Sequence, residues 1–282
     1  VCDHLKNNKD KVVADICIKA QYGAKREFYV MNMGGKLQSR LAETVYKNIS
    51  RHSREEMISV PGDNKFLKMQ AMLDDVIYNS VKQNLKVMYI NGDCSKWSAA
   101  EVMESFVTMN ESISYESLEL KDMVSNIFSQ WADKKIQVPK NLVDKVFPLN
   151  ERTLYIKEAS KNNYCLHSTQ NFLQGVFNYS SSFKADCCFS YTINLWNKMY
   201  PENNMIIRYL VHSDDYTFAI GYEDINMFKK FRCFQKIMMR LCGFTDSIKK
   251  TNCQYIFLEF ISLISFNSSM NYPTIKKNKR SN

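Results

Sequence analysis

Two apolar runs separated by four residues constrain this chain most. Met205-Ile206-Ile207-Arg208-Tyr209-Leu210-Val211 and Tyr216-Thr217-Phe218-Ala219-Ile220-Gly221-Tyr222 are rich in β-branched and aromatic residues. Such side chains suit a pleated surface, so the runs read as the two strands of a hairpin. Its tip is His212-Ser213-Asp214-Asp215. Two carboxylates there are costly unless water or a cation solvates them. Asp is also a common turn residue, so the tip by itself suits both a metal site and a plain solvated turn.

A hairpin needs partners. With 282 residues, 45% of them hydrophobic, the chain can bury a sizeable core as one large domain or two lobes. Apolar residues at helical spacing (Leu37, Leu41, Val45, Ile49) predict an amphipathic helix over residues 34–50, and the pattern repeats over 64–84. Lys86 to Ile90 reads as a short strand delivering Asn91-Gly92-Asp93. From Ser98 the chain reads as helical, capped by Ser98 or Ser95 with Glu101 in the first turn. Further helices are expected over 121–134, over 174–199 with an early break at Gly175, and over 225–241. Residues 255–261 read as a strand containing Glu259, and 274–282 as a basic, frayed tail. This order argues for an α+β fold.

Thirty-eight basic against 29 acidic side chains give a net charge of +9, which favours a polyanionic partner such as nucleic acid or a membrane surface. The nine cysteines form no CxxC pair, and none stands at zinc-ligand spacing with a histidine, as expected of a reducing, intracellular setting. Neither an eighteen-residue apolar run nor a signal peptide is visible, so no transmembrane segment is expected. The missing initiator methionine and charged opening suggest a piece of a longer protein.

Chemistry accumulates at the strand ends: Asp93 after one strand, Asp214 and Asp215 at the hairpin tip, Glu259 in the last strand. Phosphoryl transfer by two divalent cations needs oxygen ligands on rigid elements, and carboxylates on adjacent strands can supply them. Each acid also reads as a surface or turn residue. Lys19, Lys25 and Arg26 precede an aromatic strand, Glu27-Phe28-Tyr29-Val30, where they suit either a triphosphate channel or a solvated basic face. Lys249-Lys250 either donates to a departing pyrophosphate or faces water. Gln174-Gly175-Val176-Phe177-Asn178-Tyr179-Ser180-Ser181-Ser182 suits a bend against a base pair or a capped, serine-rich helix start. In Asp93-Cys94-Ser95-Lys96-Trp97-Ser98, a lysine and a tryptophan stand within four residues of an acid, although Trp97 also reads as core.

These blocks, in this order, resemble the catalytic core of the RNA-dependent RNA polymerase (L protein) of bunyavirus-like segmented negative-strand RNA viruses. Residues 19–30 resemble the basic block ahead of motif A, and Asp93 to Ser98 resembles motif A. Gln174-Gly175 with Asn178-Tyr179-Ser180-Ser181 is similar to motif B, and Ser213-Asp214-Asp215 to motif C. Lys249-Lys250 and Glu259-Phe260 fall where motifs D and E lie.

The resemblance implies a right-hand polymerase palm, an antiparallel sheet with flanking helices, plus part of the fingers and no thumb. Strands ending at Ile90, the 205–222 hairpin and the 255–261 strand would share that sheet, backed by the 174–199 and 225–241 helices. Residues 1–85 would supply fingers elements with the triphosphate-binding block, 86–109 the palm with motif A, and 110–165 a fingers or palm insertion. Residues 166–265 would be palm with motifs B to E, and 266–282 the basic tail. Asp93, Asp214 and Asp215 would hold two Mg²⁺ or Mn²⁺ ions, with Glu259 as an additional ligand. Lys19, Lys25 and Arg26 would bind the triphosphate, while Lys96, Trp97, Gln174, Gly175, Asn178, Ser213 and Lys249 would contact nucleotide or RNA. Lys250, or Lys249, would be the acid for pyrophosphate departure. Template RNA, nascent RNA, nucleoside triphosphates and nucleoprotein-coated viral RNA are the implied partners, and host cytoplasm and virion the implied location. Within the same palm architecture a reverse transcriptase is the rival enzyme; a non-catalytic RNA-binding relic is the rival from another class.

Overall fold

The computed structural model describes residues 12–21, 24–139, 164–168, 170–266 and 269–271. In chain order these form β1 (Val13–Gln21), β2 (Ala24–Met31), α1 (Met33–Ser50), α2 (Gly62–Lys82), β3 (Lys86–Asp93), α3 (Trp97–Ala100) and α4 (Met103–Ser112). There follow α5 (Leu118–Ala132), β4 (Lys134–Gln137), β5 (Cys165–Ser168), α6 (Asn178–Met199), β6 (Ile206–His212), β7 (Asp215–Tyr222) and α7 (Ile225–Leu241). The last elements are β8 (Asn252–Gln254), β9 (Phe257–Phe260), β10 (Leu263–Phe266) and β11 (Ser269–Asn271). The expected basic tail, 274–282, lies outside the described residues. None of the described helices is long and apolar enough to cross a membrane, and the eight described cysteines are free thiols.

The chain divides into two compact units, Val1–Val45 with Ser98–Ser180, and Tyr46–Trp97 with Ser181–Asn282. In the first, the sheet order is β2-β1-β4-β5, antiparallel except for the parallel β1–β4 pair. Phe106 of α4, Phe128 and Trp131 of α5, Phe172 and Phe177 form an aromatic cluster with ring centroids 4.7 to 6.4 Å apart. Offset and edge contacts of this kind add to area burial.

Three helices depart most from the sequence expectation, two of them because a distant segment takes over local hydrogen bonds. The helix expected from Ser98 stops at Ala100, since the carbonyls of Ser98 and Glu101 accept the amides of Phe172 and Asn171, and helix resumes only at Met103. The 121–134 helix runs over Leu118–Ala132 instead, started by Ser117, whose side chain accepts from Leu120 N, and Lys134 belongs to β4. The 174–199 helix begins at Asn178. Glu43 of α1 caps it, accepting from the amides of Tyr179 (3.0 Å) and Ser180 (3.1 Å), so a remote carboxylate meets the orphan N–H groups. Burial raises the Glu43 carboxyl above its ordinary range against those bonds.

The second unit is built on an antiparallel sheet of order β6-β7-β3-β8. Because strand side chains alternate faces, Met88, Ile90, Phe218 and Ile220 turn toward Phe189 and Trp196 of α6 and Phe228 and Phe231 of α7. Tyr89, Leu210 and Ala219 turn the other way, toward Met69, Met72, Leu73 and Val76 of α2. Covering on both faces explains why β7 is buried from Tyr216 to Tyr222 and reads as a continuous apolar run. The 205–222 hairpin and its two backing helices stand as expected.

The strand expected over 255–261 does not. The neighbour of β3 is β8, three residues long, after which the chain bends at Tyr255-Ile256. β9 pairs with β10 in a separate sheet, β11-β10-β9. Its hairpin turns on Ile261 (φ 47°) and Ser262 (φ 63°), left-handed conformations that Asn-Gly would have signalled and Ile-Ser does not. Leu258 and Phe260 enter the core on the α2 side.

Candidate active site

β3 ends on Asp93, which stands directly opposite Asp215, and the preceding Gly92 stands opposite Tyr216. Gly92 is needed for that crossing, because a Cβ there would lie 2.1 Å from Cζ of the Tyr216 ring. The Tyr216 hydroxyl donates to Asp246, and Arg232 of α7 donates to Asp246 Oδ2 at 2.5 Å and to Gln235 at 2.6 Å. Asp246 bridges to Cys94, while Ser95 N donates to Thr245 O (2.7 Å) and Ser247 N to Asp93 O (2.8 Å). This buried polar knot ties the segment after α7 to the end of β3. It also delivers Lys250, whose Nζ donates to Asp93 Oδ1 at 2.8 Å.

The hairpin tip meets the same place from the other side. Ser213 has φ 59°, its amide donates to Ser182 Oγ at 3.2 Å, and Cys94 N donates to Asp214 O at 2.8 Å. Asp93, Asp214, Asp215, Lys250, Asn252 and Glu259 thus line one polar cavity of about 540 Å³. Glu259 is placed by its backbone: its amide donates to Asn91 Oδ1 at 3.0 Å, and Asn91 Nδ2 donates to Asn252 Oδ1 at 3.1 Å.

Negative charge is crowded here. Burial, then the neighbouring Asp214 and Asp93, pushes the Asp215 carboxyl up to about 6, against the opposing pull of Lys250. The hydrogen bond to Asp93 in turn holds the Lys250 ammonium above its ordinary range, so this amine is protonated at neutral pH. Among the described residues no three His, Cys, Asp or Glu side chains stand close enough as placed to cage an ion. The donor set is nonetheless all oxygen and over-charged for its burial, which fits a hard divalent cation such as Mg²⁺ or Mn²⁺.

The structure therefore brings together five residues that the sequence singled out: Asp93, Asp214, Asp215, Lys250 and Glu259. Ser213 is the tip residue beside them. Lys96 is exposed with φ 53°, and Lys249 is exposed. Trp97 stacks on Phe244 (centroids 4.9 Å apart, planes at 19°), donates from Nε1 to Ser181 Oγ at 3.3 Å and packs against the α6–α7 core. Gln174, Gly175 (φ 89°) and Asn178 belong to the first unit. Lys19, Lys25 and Arg26 lie on the β1–β2 ladder, Lys19 opposite Arg26, and their side chains lie outside the described residues. Sequence reasoning missed Asn91, Asn252, Tyr216, Arg232 and Asp246. Only the placement of Asn91 two residues before Asp93 gave any signal, because the others act through contacts between distant segments.

Known proteins resemble this chain over most of its length. The family model described as bunyavirus RNA dependent RNA polymerase matches residues 5–279. The chain is 27% identical over 237 residues to the RNA-directed RNA polymerase L of Puumala virus (strain Bank vole/Russia/CG1820/1984), covering 77% of the chain and 11% of that protein. It is 24% identical over 283 residues to the polymerase L of Bovine Schmallenberg virus, covering 88% of the chain and 12% of that protein. The polymerase L of Tomato spotted wilt virus (strain Brazilian Br-01) is 27% identical over 208 residues, covering 67% of the chain and 7% of that protein. The chain thus spans about a tenth of the length of these relatives.

Proposed function

We propose, from the premise that this chain belongs to the bunyavirus RNA-dependent RNA polymerase family, that it carries the palm and part of the fingers of an RNA-directed RNA polymerase. In this reading it joins nucleotides on a viral RNA template for transcription and replication. The observation that carries the proposal is the direct opposition of Asp93 and Asp215 beside Asp214, with Lys250 on Asp93.

Asp93, Asp214 and Asp215 would hold two divalent ions, with Glu259 as an additional ligand. When bound, such ions lower the cost of charge developing on the attacking and leaving oxygens. The 3′ hydroxyl of nascent RNA, losing its proton to water, attacks the α-phosphate of a template-paired triphosphate; the bond from the α-phosphorus to the bridging oxygen breaks, and pyrophosphate leaves. Lys250, protonated at Nζ, faces the cavity and gives its proton to the departing pyrophosphate, with Lys249 as the second cation. Lys19, Lys25 and Arg26 neutralise the triphosphate. Gln174, Gly175 and Asn178 position template and ribose, and Lys96, Trp97 and Ser213 support the nucleotide. Nucleoprotein-coated viral RNA would be the template, in host cytoplasm and in the virion.

Substituting Asp214→Ala in the full-length protein tests this: template-directed addition should be abolished while RNA binding persists. Extension at the unsubstituted rate would refute the site. Preferential use of deoxyribonucleotides on an RNA template would refute the RNA-polymerase assignment.

A further inference from the structure

The turn that carries Asp214 has a support outside the cavity. Glu56 is fully buried, and its carboxylate accepts three hydrogen bonds, from Ile58 N (2.6 Å), Ser59 N (3.0 Å) and Ser182 Oγ (2.7 Å). Ser182, on α6, is equally buried, and its hydroxyl oxygen accepts the amide of Ser213 at 3.2 Å. The Glu56 segment also grips the strand leading into the turn. Met57 N donates to Val211 O (2.9 Å), Val211 N donates to Glu55 O (3.0 Å), and Glu56 bridges Val211 in parallel. Ser213 holds φ 59°, a conformation disfavoured for a non-glycine residue and kept only where the surroundings impose it.

We propose that Glu56 and Ser182 are positioning residues for the Ser213-Asp214 turn. Ser182 Oγ donates to the Glu56 carboxylate, so its proton points at Glu56 and its oxygen lone pairs are left for the Ser213 amide. That chain fixes the backbone from which Asp214 enters the cavity. A glutamine at position 56 would break this arrangement, because its amide nitrogen cannot accept and would face a donor where a carboxylate oxygen now accepts from Ser59 N or from Ile58 N and Ser182 Oγ. The inference rests on the polymerase reading only for what the turn does; the hydrogen-bond chain holds without it.

The test is hydrogen–deuterium exchange on the metal-free full chain, following residues 211–216 with α7 as the control. A buried hydrogen bond corresponds to roughly a factor of ten in local opening. Ser182→Ala, which removes only the hydroxyl, should therefore speed exchange at Ser213 about tenfold while α7 is unchanged. Glu56→Gln, close in volume, should act in the same direction and covers the case in which Ser182→Ala does not fold. Where the unsubstituted chain adds nucleotides, both variants should also raise the Mn²⁺ concentration giving half-maximal addition while leaving RNA affinity unchanged. Unchanged exchange at Ser213 overturns the proposal, and so does equal acceleration in α7, which would mean general loosening. A full-length protein that adds no nucleotide at all would instead sink the polymerase reading, and the exchange result would still judge the turn.

Discussion

Asp93 and Asp215 are direct cross-strand partners on β3 and β7. Like charges in that position destabilise a sheet, and burial of Asp215 adds to the cost. Stability alone gives no reason for the pairing. Asp215→Asn should therefore stabilise the metal-free protein by about 1 kcal/mol while ending nucleotide addition. Thermal unfolding in chelator together with a primer-extension assay checks both halves; a less stable variant would contradict the reading of charge crowding.

Gly92 lets the Tyr216 ring cross the strand. Gly92→Ala forces a Cβ into that ring, and overpacking of this kind costs roughly 1 to 3 kcal/mol. The melting temperature should fall. An unchanged melting temperature would show that Tyr216 can move aside freely.

The Arg232–Asp246 pair is buried, with side-chain exposures of 10% and 13%. Removing one partner strands the other charge, so Asp246→Ala should destabilise by about 3 kcal/mol or more. It should also slow nucleotide addition by loosening the segment that presents Lys250. The double change Arg232→Met with Asp246→Leu should recover much of the stability, because apolar replacement of a buried pair is often neutral or better. It should recover little of the activity. Urea unfolding and extension rates on the single and double variants separate the two effects.

In the first unit, Lys134 is fully buried and donates to the carbonyls of Trp131 (3.2 Å), Ser168 (2.8 Å) and Gln170 (2.9 Å). Lys134→Met would leave three acceptors unmet, a loss of about 3 kcal/mol. Burial pushes the Lys134 amine down to about 8 from its ordinary 10.5. Between those values the unfolded chain binds the proton and the folded one does not, so the contribution of Lys134 to stability rises with pH across that window. The gap between native chain and variant should therefore widen from pH 8 toward 10.5. A gap that narrows would refute the direction.

Much of the sheet was legible because local chemistry and tertiary setting agreed. The 205–222 hairpin announced itself through β-branched and aromatic runs around a four-residue polar tip, and α7 through apolar residues at helical spacing; the structure adds its Asp224 cap, whose side chain accepts from Asn226 N. Where a remote segment supplied the deciding bond, prediction failed: the start of α6 depends on Glu43 and the end of α3 on residues 171 and 172. The separation of β9 from β8 also went unread, because the bend at Tyr255-Ile256 and the Ile261-Ser262 turn into β10 carry no turn signature.

The sequence by itself determined which groups this protein can bring to a reaction: three aspartates at strand ends, a glutamate and a pair of lysines beyond them. Tertiary structure alone decided that Asp93 faces Asp215 and that Lys250 reaches Asp93. It also ties Glu56 and Ser182 to the Ser213 amide, and Tyr216 and Arg232 to Asp246, by hydrogen bonds between distant segments. The physical reason is range. Propensity and periodicity act over a few residues, whereas strand register and tertiary hydrogen bonds join positions more than a hundred residues apart, as Lys250 and Asp93 are.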